Sequence, residues 1–160
     1  DKVNFLFTQS ALEHFDEDLD FHIKVNQYLK NIKTKKKLLH LHLVPSEQCL
    51  ITYMSHGYRH FSLRSISKIF SYYSKKNKKF FLFKLGSVNS NKLHLKSIVL
   101  PKFSTLFTSR YNDFDYSKKL NDAVLKDIKV KENKKPSFYG IMILTNYQSS
   151  EIKKIIDYYK

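Results

Sequence analysis

Residues 38–45 read LLHLHLVP. Apolar and polar positions alternate strictly, which is the period of a β-strand. Alternation sets His40, His42 and Val44 on one face and Leu39, Leu41 and Leu43 on the other. Pro45 lacks an N–H and closes the strand. The flanking sequence tells what such a strand joins. Upstream, VNFLFT (3–8) alternates as a short strand. DEDLDFHIKVNQYLKNIK (16–33) follows, with Phe21, Val25, Tyr28, Leu29 and Ile32 in a helical stripe. Asp16, Glu17 and Asp18 suit the positive end of its dipole, and Lys30 and Lys33 the negative end.

Downstream, Leu50–Met54 reads as a short strand and Gly57 as a turn. Ile66, Ile69, Phe70 and Tyr73 mark a second helix. FFLFKL (80–85) is an apolar strand, residues 86–91 a polar turn, and KLHLKSIVL (92–100) the returning strand of a hairpin. Tyr116, Leu120, Ala123, Val124 and Ile128 mark a third helix, SFYGIMIL (137–144) a strand, and Ile152, Ile155, Ile156 and Tyr159 a last helix. The order β-α-β-α-β-β-α-β-α predicts an α+β fold of two similar halves, with antiparallel sheets and helices outside. Residues 1–160 read as a single domain. Three glycines leave no phosphate-cradling loop, so the dinucleotide-binding and P-loop folds are excluded.

Hydrophobic residues make up 42% of 160, enough for a core at this size. No apolar run is long enough to span a membrane, and no secretory signal is visible. Cys49 is the sole cysteine, so no internal disulfide or thiolate metal site can form, and a reducing intracellular setting is expected. The formal net charge of +15 points to a polyanionic partner, of which nucleic acid is the commonest. Of the 29 basic residues only Arg59, Arg64 and Arg110 are arginine. Abundant Lys, Asn, Ile, Phe and Tyr with little Gly and Pro is also what an AT-rich genome yields, so part of the lysine content has a mutational origin open to it.

His40 and His42 project side by side from one strand. A metal site needs a third and usually a fourth ligand, and no nearby residue has the spacing, so no metal or other cofactor is expected. Two readings stay open: a satisfied or solvent-facing sheet surface, and a phosphate-handling pair. His60 and Ser62, in RHFSL (59–63), are an alternative acid–base and hydroxyl pair. Ser62 also precedes the helical stripe, the place of an N-cap. Three basic runs, KTKKK (33–37), KKNKK (75–79) and KVKENKK (129–135), lead toward strands. Their Lys35, Lys36, Lys37, Lys75, Lys76, Lys78, Lys79, Lys134 and Lys135 are expected to ring one cleft edge and neutralise phosphates. Tyr72 and Tyr73 offer faces for unpaired bases.

On RHFSLRSISKIFSYYSKKNKKFF (59–81), LLHLHL (38–43) and KPSFYGIMIL (135–144), the chain resembles the U6 small nuclear RNA 3′-end phosphodiesterases of the 2H phosphoesterase superfamily. The resemblance covers most of the chain in element order. It implies a two-lobed pseudo-symmetric fold in which two strands each offer His-x-Ser/Thr to a central cleft. One histidine would deprotonate a ribose 2′-OH, the other protonate the leaving oxygen, and the hydroxyls hold the phosphate, without metal. Carried over, His40 matches the first histidine and His42 stands in place of its hydroxyl residue. Tyr139 stands for the second histidine and Ile141 for its Ser/Thr. Tyrosine is a weak acid–base group at neutral pH, and isoleucine binds no phosphate oxygen. The expectation is an RNA-binding protein with a degenerate site facing a single-stranded 3′ end, nuclear if the family holds. The alternatives are a component of a ribonucleoprotein, such as a ribosome of an AT-rich genome, in cytoplasm or organelle, and an active metal-independent RNA 3′ phosphodiesterase that uses His40 with His42 or His60.

Overall fold

The computed structural model describes residues 5–31, 37–49, 59–73, 78–130 and 133–158. It is an α+β fold with one four-stranded mixed sheet. The strands are β1 (Phe5–Gln9), β2 (Leu38–Pro45), β3 (Lys78–Leu85) and β4 (Phe138–Thr145), in spatial order β1-β2-β4-β3. The helices are α1 (Asp18–Asn31), α2 (Leu63–Tyr73), α3 (Val88–His94), α4 (Tyr116–Ile128) and α5 (Ser149–Tyr158).

The strand LLHLHLVP is central. It pairs in parallel with β1, Leu39 beside Phe5, and antiparallel with β4, Val44 beside Tyr139. β3 pairs antiparallel with the other edge of β4. All four strands therefore lie in one sheet, and the β1–β2 pair departs from the expected antiparallel arrangement. A long crossover through α1 joins those two strands, which is what parallel pairing requires. The expected short strand at Leu50–Met54 and the turn at Gly57 lie outside the described residues.

The returning strand expected at 92–100 is helical. α3 runs on into a π-helical turn (Leu95–Val99) and a 3-10 turn (Leu100–Lys102). The deciding group is distant in sequence. Asp127 on α4 accepts hydrogen bonds from the N–H groups of Ser87, Asn89 and Ser90, the Ser90 hydroxyl and the Asn89 amide, at 2.6–3.0 Å. Burial alone would raise the Asp127 carboxyl, but these donors hold it below its ordinary value. Free N–H groups at the helix start are thus satisfied by a tertiary carboxylate.

One sheet face packs against helices. Val44, Tyr139, Ile141 and Ile143 join Leu12, Phe61, Ile66, Ile69 and Tyr73 in the core, with Phe21, Phe70, Phe80 and Leu82 packed around it. α2 enters this core with its start fixed by Ser62, whose hydroxyl accepts the Ser65 N–H at 3.1 Å. Ser62 therefore stands at an N-cap rather than on a strand.

Candidate nucleic-acid interface

The two histidines of β2 point into the helix-covered core. His40 and His42 have no exposed surface, and His22 of α1 joins them, equally buried. The rings meet edge to face, His22 with His42 at 5.2 Å and His40 with His42 at 5.9 Å between centroids. Tyr73 closes the group, 5.7 Å from both His22 and His40. Its hydroxyl donates to the His22 carbonyl at 3.3 Å and lies 3.0 Å from His22 Nδ1. Thr8 Oγ1 and His42 Nδ1 share a bond of 2.8 Å. His22 Nε2, His42 Nε2 and both nitrogens of His40 are buried with no hydrogen-bond partner among the described residues. Burial lowers His22 and His40 to about 3 and His42 to about 4, with the neighbouring imidazoles adding to the first two. All three are neutral at physiological pH. Among the described residues, no group of three or more His, Cys, Asp or Glu is set to hold a metal.

Tyr139 shares the face of the histidines but sits opposite Val44, while His40 sits opposite Ile143. His40 and Tyr139 are thus four residues apart in register, about 13 Å along the strand. They do not face each other across a cleft. Tyr139 is 2% exposed, so the trio His40, His42 and Tyr139 forms an interior row. His60 is half-buried, and that burial lowers its pKa.

The basic runs do not ring one edge. Lys37 and Lys78 flank the sheet end where Leu38 and Lys78 meet Thr145. Lys134 and Lys135 precede Phe138, which meets Pro45 and Leu85 at the opposite end. Eight-residue strands separate those ends by about 24 Å. Lys35, Lys36, Lys75 and Lys76 lie outside the described residues. Lys78 is buried, donating to Asn26 Oδ1 at 2.7 Å with its Nζ 4.9 Å from the Tyr73 ring centre. Tyr73 is core as well, so neither is a surface contact. Lys37 pairs with Glu151 and lies over the Tyr147 ring. Lys79, Lys134, Lys135 and Tyr72 are exposed.

The surface that the sequence reading left out is the second face of the sheet. Register places Phe5, Leu39, Leu144 and Lys79 in one row across it, and Phe7, Leu41, Met142 and Phe81 in the next. Leu43, Gly140 and Phe83 continue it. Leu144 is covered, but Phe5 is 53% exposed, Phe7 44% and Phe83 43%. Phe5 and Phe7 lie nearly parallel, 12° apart with centroids at 6.0 Å. Gly140 keeps the middle low, and Phe83, Leu85 and Leu43 side chains close over the space a Cβ would take. The signal was present in the sequence: Phe5 and Phe7, and likewise Phe81 and Phe83, stand two residues apart, so each pair shares a face.

No described helix is long and apolar enough to cross a membrane. Compared with known proteins, the chain matches no protein-family model and no curated sequence.

Proposed function

We propose that this chain is an RNA-binding protein that holds single-stranded RNA on the open face of its sheet and performs no phosphodiester chemistry. The observation that carries the reading is the set of exposed rings on one sheet face, Phe5 and Phe7 on one edge strand and Phe83 on the other, on a chain of net charge +15. Aromatic faces stack on unpaired bases, and a lysine such as Lys79 at the rim neutralises the backbone. The resemblance to the U6 RNA phosphodiesterases enters as ancestry. In this reading the two-lobed 2H plan survives as the adjacent strands β2 and β4, whose histidine and tyrosine positions have turned to packing. Fluorescence anisotropy with a labelled oligouridine tests it. Single strand is expected to bind in preference to duplex of the same length, and Phe7→Ala with Phe83→Ala to weaken binding at least tenfold. Equal affinity for duplex, or no effect of the two substitutions, overturns it.

The wide separation of Lys37 and Lys79 from Lys134 and Lys135 favours a second reading, a ribonucleoprotein component clasped by RNA on several sides. That reading predicts a steep salt dependence with no preference for a free 3′ end.

A further inference from the structure

A separate cleft opens where β1 and β2 end. The turn Leu12–His14 follows β1, and residues 59–61 run beside the end of β2, Phe61 N–H donating to Pro45 O at 2.8 Å. Glu13, His14, Phe15, Asp16 and Arg59 line about 520 Å³ between them. That volume is in the range of small-ligand sites. Glu13 is 5% exposed, and its Oε2 is buried with no hydrogen-bond partner among the described residues. An unsatisfied buried carboxylate oxygen is costly, and a donor arriving from outside would relieve it. Phe15, 39% exposed, supplies a ring braced edge-on by Phe21 at 5.6 Å. Arg59 brings a guanidinium plane, its Cζ 5.6 Å from the Phe61 ring centre.

The chemistry of this cleft selects its ligand. Glu13 and Asp16 bring two acidic acceptors against the single guanidinium of Arg59, so the lining offers a phosphate no excess of positive charge even on a +15 chain. A carboxylate binds best to two adjacent donors. Guanine alone among the RNA bases has them, N1–H beside the N2 amine. Adenine and cytosine set an acceptor next to their amino group, and uracil flanks its single N–H with two carbonyls. We propose that the cleft takes one unpaired guanine, its Watson–Crick edge on the Glu13 carboxylate and its ring against Phe15 and Arg59. The exposed Lys134 and Lys135 lie at the same sheet end but toward α3, where the Asn91 side chain donates to Lys135 O, so they are not counted in the cleft. This rests on the RNA-binding reading and gives it a base preference.

The experiment compares oligouridine octamers carrying one central guanine, inosine, adenine or cytosine, by anisotropy at fixed salt. Guanine is expected to bind roughly ten- to a hundredfold tighter than adenine or cytosine. Inosine, which lacks the N2 amine, is expected to lose most of that gain. Glu13→Gln replaces one acceptor by a donor, and is expected to erase the preference while plain oligouridine binding stays unchanged. The urea midpoint of the variant checks its folding, and the inosine comparison needs no variant. Oligouridine binding with no base preference overturns the guanine cleft and leaves RNA binding standing. Preference that persists in folded Glu13→Gln overturns the role of Glu13. No binding of any octamer overturns both readings.

Discussion

Acid should unfold this protein well above the pH at which its carboxylates titrate. His22, His40 and His42 have ordinary values of 6.5 and sit in the fold at about 3, 3 and 4. The unfolded chain therefore binds more protons than the native one below pH 6.5, and stability rises with pH across that window. It is complete above 6.5 and falls as pH drops toward 4 and then 3. Near pH 5, about 1.5 units below the unfolded value, each imidazole contributes a loss of about 2 kcal/mol, or about 6 kcal/mol for three. A domain of this kind has roughly 5–15 kcal/mol in total. The loss due to Asp127, whose carboxyl is held below 3.8, belongs to lower pH and stays distinct. His60 is also lowered and adds to the same window as the cluster.

The assay is urea unfolding followed by circular dichroism at about pH 7.5, 6 and 5. With a slope near 2 kcal/mol per molar, the midpoint should fall by about 3 M between the ends. His40→Leu isolates one contribution. It removes two buried nitrogens that have no hydrogen-bond partner among the described residues and puts an apolar side chain of similar bulk in their place. Stability at neutral pH should hold or rise, and the loss at pH 5 should shrink by about 2 kcal/mol. A midpoint constant from pH 7.5 to 5 would mean that the imidazoles are hydrated or charged in the fold, and would refute the reasoning. An unchanged pH slope in His40→Leu would move its source elsewhere.

Two further outcomes follow from the same contacts. Asp127→Ala removes five hydrogen bonds from the start of α3 and should cost about 2–4 kcal/mol by urea unfolding, with faster amide exchange at Ser87, Asn89 and Ser90. Oligouridine with a free 3′ diol should survive incubation with the protein in EDTA, and His40→Ala should behave as the wild type does; trimming lost in that variant would show that His40 reaches substrate.

Periodicity alone gave the fold most of its pieces. The stripe from Tyr116 to Ile128 matches the limits of α4, and the alternation of 38–45 matches β2. It failed at 92–100, where KLHLK alternates as a strand would. The competing term was not local: the carboxylate that caps α3 lies 37–40 residues further on, and no window of sequence contains both. The lysine runs failed for a related reason. Each lies near a strand start, but β4 runs opposite to β2 and β3, so equal positions in sequence became opposite ends of the sheet.

Alternation also fixes which residues share a face without saying which face the helices cover. On β2 the hydrophobic rule would bury Leu39, Leu41 and Leu43, yet these are the half-exposed side and the imidazoles are the buried one. The neighbours decide it. β4 brings Tyr139, Ile141 and Ile143 to the histidine side, and α2 brings Ile66, Ile69 and Tyr73 against them. Once that side is chosen, the leucines share the outer face with Phe5, Phe7, Phe81 and Phe83. A sheet that buries imidazoles and leaves phenylalanine rings in water is poorly ordered by burial alone. In the proposed reading the outer face has a partner, and on a chain of +15 one that is both polyanionic and flat-faced would match both features at once.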